Sequence, residues 1–256
     1  MICVDLPEPT SPRILSEASR YWRDRRSSNG FFVATRDLLL AFWEFVRDSA
    51  PSRLRSRFGD ADYDWDHHVN TTSGAVGWRD RLIGTFHSQY QPTEPASFRE
   101  MLDAFQQHTN ANLADVTFID LGSGKGRVLL MASDYPFRRI VGVELLPSLN
   151  RIAQENLSKY KSQAQKSFVL ESVCADATRF PMPEGPLLIY LFNPFPESGV
   201  RRAFANLKKS LESNPRPAYV LYHNPLLEQV LAENGSLKKI AGTHQYSIFA
   251  FIHEEP

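Results

Sequence analysis

The stretch FIDLGSGKGRVLL, Phe118 to Leu130, decides how this chain is read. An apolar run ends in a carboxylate, Asp120. Gly122, Gly124 and Gly126 then alternate with Ser123 and Lys125 before an apolar pattern resumes. A strand that enters a glycine turn and leaves as a helix is the first βα unit of an open α/β sheet. Glycines there admit a ligand close to the backbone.

The sequence on either side supports that frame. From Ala96 a helix to His108 leads into a strand over Val116–Leu121, and the glycine turn opens a helix to about Asp134. Further strands are expected at Ile140–Glu144, Ser167–Cys174, Pro186–Phe192 and Ala218–His223, with helices at Ser148–Tyr160 and Glu197–Ser213 between them. Such alternation specifies parallel βαβ units in a doubly wound sheet. The last runs, SLKKIAG and HQYSIFAFI, are joined by a short turn and predict an antiparallel hairpin.

Before residue 96 the pattern is different. Helices are expected over Ser16–Arg26 and Thr35–Ser49, the second with Phe42, Trp43 and Phe45 packing into a core, docking a partner or covering a substrate cleft. Pro51–Pro95 reads as irregular, and a connection of that length usually serves a function or covers a site. The expected division is therefore a cap or lid over 1–95 and an α/β core over 96–256.

Composition narrows the function classes. A chain of 256 residues, 42% hydrophobic and 23% charged, can bury a full core. Lys plus Arg and Asp plus Glu each total 29, so no global basic field favours nucleic acid or an anionic membrane. The N-terminus lacks a secretory pattern, and Cys3 and Cys174 make no disulfide framework. A cytoplasmic protein with no membrane span is the expectation.

Several ligands compete for the glycine turn. A phosphate-binding P-loop needs G-x-x-x-x-G-K-[ST], but Gly126 follows Lys125 here and no hydroxyl is placed for Mg²⁺. Lys125 then reads as a surface residue of the turn. The dinucleotide fingerprint G-x-G-x-x-G puts pyrophosphate on the helix N-terminus, whereas this third glycine comes one residue early. A carboxylate at Asp120 suits a cationic group better than a pyrophosphate. A purely structural tight turn is the remaining reading.

The spacing D-x-G-x-G-x-G resembles motif I of the class I S-adenosylmethionine-dependent methyltransferases. The resemblance covers about Ala96 to Ile252. It implies a Rossmann-like seven-stranded sheet of order 3-2-1-4-5-7-6 whose last strand is antiparallel, with S-adenosylmethionine as cofactor. It places Asp120 near the ligand's ammonium and the backbone of Gly122, Ser123, Gly124 and Gly126 against its methionine and ribose parts. Glu144 follows Asp120 by 24 residues, where the family keeps an acid for the ribose hydroxyls, with Leu145 beside it. Asp176 and Ala177, in VCADATRFP, fall where relatives hold the adenine; a turn or helix-cap aspartate is the plain alternative. Glu144 alone also fits an NAD-binding acid, so an NAD(P)-dependent enzyme stays open, as does an inactive methyltransferase fold used as a binding module.

On the acceptor side, Asn193-Pro194-Phe195 in LFNPFP resembles the family's motif IV, whose Asn contacts a target nitrogen. The third and fourth places, Phe195 and Pro196, depart from the full motif, and a strand-ending turn is the alternative. HSQYQPTEP resembles the Y-x-P-T element of some protein lysine methyltransferases, including Dot1-like and ATP-synthase c-subunit enzymes. That implies Tyr90 and Thr93 as pocket wall, with Tyr90 also near the acceptor. The family's uncharacterised bacterial members carry a VNTTSG-like stretch before this element, present here at Val69–Gly74. His67, His68, His87, His223 and His244 could each serve as a base, His223 being at the ligand edge.

DADYDWDHH, Asp60 to His68, fails as an EF-hand loop: the sixth and twelfth positions are Trp65 and Thr71 instead of Gly and Glu. With no spaced set of zinc ligands either, it reads as a solvated loop or lid. The expected reaction is in-line methyl transfer to a nucleophile, nitrogen first, of a small molecule or a protein side chain.

Overall fold

Seven short runs pair into one mixed sheet: β1 (Thr117–Leu121), β2 (Arg139–Glu144), β3 (Leu170–Cys174), β4 (Leu187–Leu191), β5 (Ala218–His223), β6 (Leu237–Gly242) and β7 (Tyr246–Phe251). In the computed structural model, which describes residues 14–48, 61–71, 92–233 and 235–252, their order is β3-β2-β1-β4-β5-β7-β6. β1 to β5 pair in parallel, and β7 runs antiparallel to both β5 and β6. The expected topology is the one observed. β1 and β4 lie at the centre and are buried at every position, which is why TFIDL and LLIYL are nearly continuous apolar runs.

Each face of the sheet has its own half-core. α4 (Pro95–His108) and the short α5 (Arg127–Ala132) cover one face, burying Phe98, Met101, Leu102 and Phe105 with Phe118, Leu188 and Tyr190. α7 (Glu197–Ser213) covers the other with Val200, Phe204, Leu207 and Leu211 against Ile119, Ile189 and Val220. Side chains alternate along a strand, so Asp120 shares the α4 face with Phe118, and its register partners are Gly142 and Tyr190. α6 (Pro147–Lys159) connects β2 to β3.

The N-terminal helices are longer than expected: α1 spans Ile14–Asn29 and α2 Phe31–Asp48, turning at Gly30 with φ 82°. Trp22 joins them, its Nε1 donating to Thr35 Oγ1 at 3.2 Å and its ring meeting Phe31 edge-on. α1 docks on the core through Asp24, which accepts from Ser198 at 2.6 Å and lies 3.7 Å from Arg202. Of the three aromatic residues singled out on α2, Trp43 is exposed rather than packed into a core, and the side chains of Phe42 and Phe45 fall outside the described residues.

Two further elements went unforeseen. Part of the supposed solvated loop is a helix, α3 (Ala61–His67), and α8 (Glu228–Ala232) follows β5. β3 is shorter than expected because Lys166 and Ser167 donate their N–H groups to Ser133 O, off the ladder. No helix among the described residues is long and apolar enough to cross a membrane.

Candidate functional site

The C-terminal tips of β1, β2, β4 and β5 form the rim where an open α/β sheet presents its ligand. Asp120, Glu144, Asn193 and His223 stand on or beside these tips, and Asp176 stands just past β3.

The glycine turn is shaped first by its own chain. At Gly122, φ is 86° and an added Cβ would fall 2.4 Å from Pro194 Cβ, so no other residue fits against the β4 tip. At Gly126, φ is 83° and a Cβ would press Ala153 of α6 at 3.2 Å. Two of the three glycines thus serve close approach within the protein. Gly142 clears the other side: a Cβ there would meet Ser123 Oγ at 2.6 Å. That hydroxyl is buried and has no hydrogen-bond partner among the described residues.

Asp120 is 3% exposed and makes no hydrogen bond or ion pair to any described residue. Burial, then the nearby Glu144 charge, pushes its carboxyl well above the ordinary carboxylate range. A buried anion without a counterion is costly unless a cation arrives. Glu144, also buried, is held by two backbone donors, Gly124 N to Oε2 and Leu146 N to Oε1, both at 2.8 Å. It therefore fixes the turn as well as offering acceptor oxygens. Cys174 Sγ lies 3.9 Å from Leu145 O below it.

Asp176 makes a local turn, its Oδ1 accepting from Thr178 N at 2.9 Å and Thr178 Oγ1 at 2.7 Å. Its Oδ2 lies 4.0 Å from Arg20 of α1. Ala177 is buried in the half-core with Phe180. These contacts are those of a turn aspartate.

At the β4 and β5 tips two Asn-Pro pairs mirror each other. Asn193 and Asn224 both adopt positive φ, 44° and 47°, a conformation that residues before proline rarely take. Asn193 Nδ2 donates to Asn224 O at 2.6 Å, and its Oδ1 accepts from Tyr222 Oη at 2.7 Å. The Asn193 amide is thereby locked. Phe195 packs against the core, and a Cβ on Gly199 would press its Cβ.

His223 stacks on Phe192, and its Nδ1 lies 2.9 Å from Tyr190 Oη. The same Tyr190 oxygen is 2.8 Å from Thr93 Oγ1. Burial lowers the His223 pKa to about 4, so the ring is neutral near pH 7. Thr93, buried, is thus joined to His223 through the fully buried Tyr190. Tyr90 and His87 lie outside the described residues. His67 packs between Tyr63 and Tyr160, and His68 and His244 are exposed. Among the described residues no group of three or more His, Cys, Asp or Glu could hold a metal.

Lys125 is not a surface residue. It is fully buried, its Nζ donating to Asn70 Oδ1 at 3.1 Å. Tyr190, Tyr222 and Asn224 were missed as site residues. Phenols inside otherwise apolar strands and a second Asn-Pro at the next strand end were the available signals.

Residues 88–172 match the family model described as histone methylation protein DOT1, a span that includes β1, the glycine turn, β2 and the start of β3. No curated protein matches the sequence. Among similar solved structures is an RNA methyltransferase from Salinibacter ruber with S-adenosyl-L-homocysteine, 20% identical, covering 65% of this chain and 97% of that one (TM-score 0.44). A magnesium protoporphyrin IX methyltransferase from Synechocystis PCC 6803 with bound SAM is 12% identical, covering 78% and 94% (TM-score 0.43). The family match across the glycine turn lies on a sheet of order 3-2-1-4-5-7-6 with only β7 reversed, which is the fold of the class I S-adenosylmethionine-dependent methyltransferases.

Proposed function

We propose that the protein moves the methyl group of S-adenosylmethionine to a nitrogen of a protein side chain or small amine, at a pocket bounded by the β4 and β5 tips. The observation that carries the cofactor part is Asp120. A buried carboxylate with no partner among the described residues is matched by an ammonium, whereas a pyrophosphate would add to its cost. Glu144 accepts the ribose hydroxyls, and the Ser123 hydroxyl, without a partner among the described residues, supplies a further polar contact. Bound S-adenosylmethionine supplies a sulfonium-activated methyl group, leaving position and desolvation to the protein.

In this reading Asn193 orients the acceptor through an amide already fixed by Tyr222 and Asn224. The DOT1 match supports a protein nitrogen. His223, with a pKa of about 4, orients rather than deprotonates, and the proton of the methylated amine leaves to water. The segment 1–95 acts as a cap, α1 reaching the β3 tip through Arg20 and Asp176.

Two outcomes follow. Asn193→Ala should lower kcat about tenfold, the span of one lost orienting contact, with S-adenosylhomocysteine affinity unchanged. The kcat profile should show no inflection near pH 6.5 from His223; one that disappears in His223→Gln would make it the base. The acceptor is tested by incubating the protein with methyl-labelled S-adenosylmethionine and cell extract, then fractionating the label. Label on protein or small-amine nitrogen is expected. Label confined to RNA would overturn the acceptor assignment, and bound cofactor with no transfer would favour a non-catalytic module.

A further inference from the structure

The glycine turn carries two cations, Lys125 and Arg127, that are 0% and 1% exposed. Cationic side chains are almost never buried so fully unless paired. Their described partners come from a segment more than 50 residues earlier in the chain. Arg127 Nε donates to Thr71 Oγ1 at 2.6 Å, and Nη2 lies 3.3 Å from Asp64 Oδ1. The Thr71 hydroxyl donates in turn to Asp64 Oδ1, while Thr71 N donates to Asp64 Oδ2 at 2.7 Å. The Tyr63 ring covers the guanidinium at 4.8 Å.

A second set of bonds fastens the same two segments. Asn156 of α6 acts as a strand would: its Oδ1 accepts from Asn70 N at 2.9 Å and its Nδ2 donates to Asn70 O at 3.0 Å. The same Nδ2 donates to Lys125 O, a carbonyl of the glycine turn, at 2.9 Å. Asn70 Oδ1 takes the Lys125 ammonium from the other side. Residues 63–71, the turn and α6 are thus locked by backbone pairing and a buried charge network.

The same turn follows Asp120 directly and makes the Gly124–Glu144 bond. The turn backbone has to hold one shape to present both, and it contains positive-φ glycines that do not fix a shape alone. We propose that Asp64, Asn70 and Thr71 are positioning residues for the cofactor. They hold the glycine turn through Arg127 and Lys125, so ordering of residues 63–71 and cofactor binding are thermodynamically coupled. The proposal rests on the cofactor reading given above. It gives Asn70 and Thr71 of the VNTTSG stretch a role in the methyl-donor site, and coupling requires that the cofactor tighten residues 63–71 in return.

The test is calorimetric titration of S-adenosylhomocysteine into the full chain and into Asp64→Asn, Asn70→Ala and Asp64→Glu, with melting of each unliganded protein. Asp64→Asn should weaken binding about tenfold, within the ~5–150-fold span of coupled sites, and Asp64→Glu should restore part of it. Asn70→Ala, which removes one side-chain bond and keeps the backbone pairing with Asn156, decides the matter where Asp64→Asn does not fold. Hydrogen exchange at residues 64–71 should slow on adding S-adenosylhomocysteine to the wild type. Affinity within twofold of wild type in a folded Asp64→Asn or Asn70→Ala, with only the melting temperature lowered, would reduce the network to a structural clamp. Absence of binding to the wild type would instead overturn the cofactor reading itself.

Discussion

Asp120→Asn is expected to weaken S-adenosylhomocysteine binding about a hundredfold while raising the melting temperature of the unliganded protein. Losing a hydrogen bond between charged partners costs roughly 1.5–3 kcal/mol, ten- to a hundredfold in affinity, and this pair lies in a buried site. The opposite sign in stability follows from the same burial. The carboxyl is held above its ordinary value of 3.8, so the unliganded fold binds that proton more tightly than the unfolded chain does. Stability therefore falls as pH rises from about 4 to the raised value, and the cost persists above it. The amide removes that slope and that cost. A gain of ~1 kcal/mol would appear as about 2–4 °C at this chain length. Cofactor affinity of the wild type should rise over the same pH window, because only the ionised carboxylate attracts the ammonium. A variant that melts lower and binds normally would show Asp120 to be a structural residue.

Glu144→Ala should also weaken S-adenosylhomocysteine binding, by ten- to a hundredfold, but with the opposite effect on the fold. Its carboxylate satisfies Gly124 N and Leu146 N, so its removal leaves two buried donors, each costing about 1–3 kcal/mol if unmet. The melting temperature should fall where that of Asp120→Asn rises. Glu144→Gln keeps one acceptor oxygen and should lie between. The neighbouring charge also helps hold the Asp120 carboxyl up, so the pH dependence of binding should shift to lower pH in Glu144→Ala. Unchanged affinity in calorimetry would mean that the ribose lies elsewhere.

What could be read from the sequence follows from how local the signals are. β1, β4 and β5 are apolar runs bounded by glycine or proline, and α7 carries helical periodicity between Pro196 and Asn214, so these elements fell close to their expected limits. The position of Asp120 and Glu144 came from strand-end spacing. The surface assignment of Lys125 failed because its polar partner, Asn70, is 55 residues away, and the partner of Arg127, Asp64, is 63 residues away. A lysine between glycines looks solvated unless the segment that covers it is known. The same contact explains α3: three acids in seven residues suggest a loop, but Asp64 turns inward to a buried arginine. Trp43 errs in the other direction, since helical periodicity identifies an apolar stripe without saying what covers it. Tyr222 and Asn224 lock Asn193 through contacts that depend on β4 and β5 being neighbours.

The central claim is that the Asp120 carboxylate at the glycine turn, without a partner among the described residues, is completed by the methyl donor's cation. Titrating the full chain with S-adenosylhomocysteine and, separately, with NAD, at pH 5 and pH 8, tests it most directly. Saturable binding of S-adenosylhomocysteine that is tighter at pH 8, lost in Asp120→Asn, and not shared by NAD is the predicted result. Binding of NAD in preference, or S-adenosylhomocysteine affinity indifferent to both pH and Asp120, would contradict it.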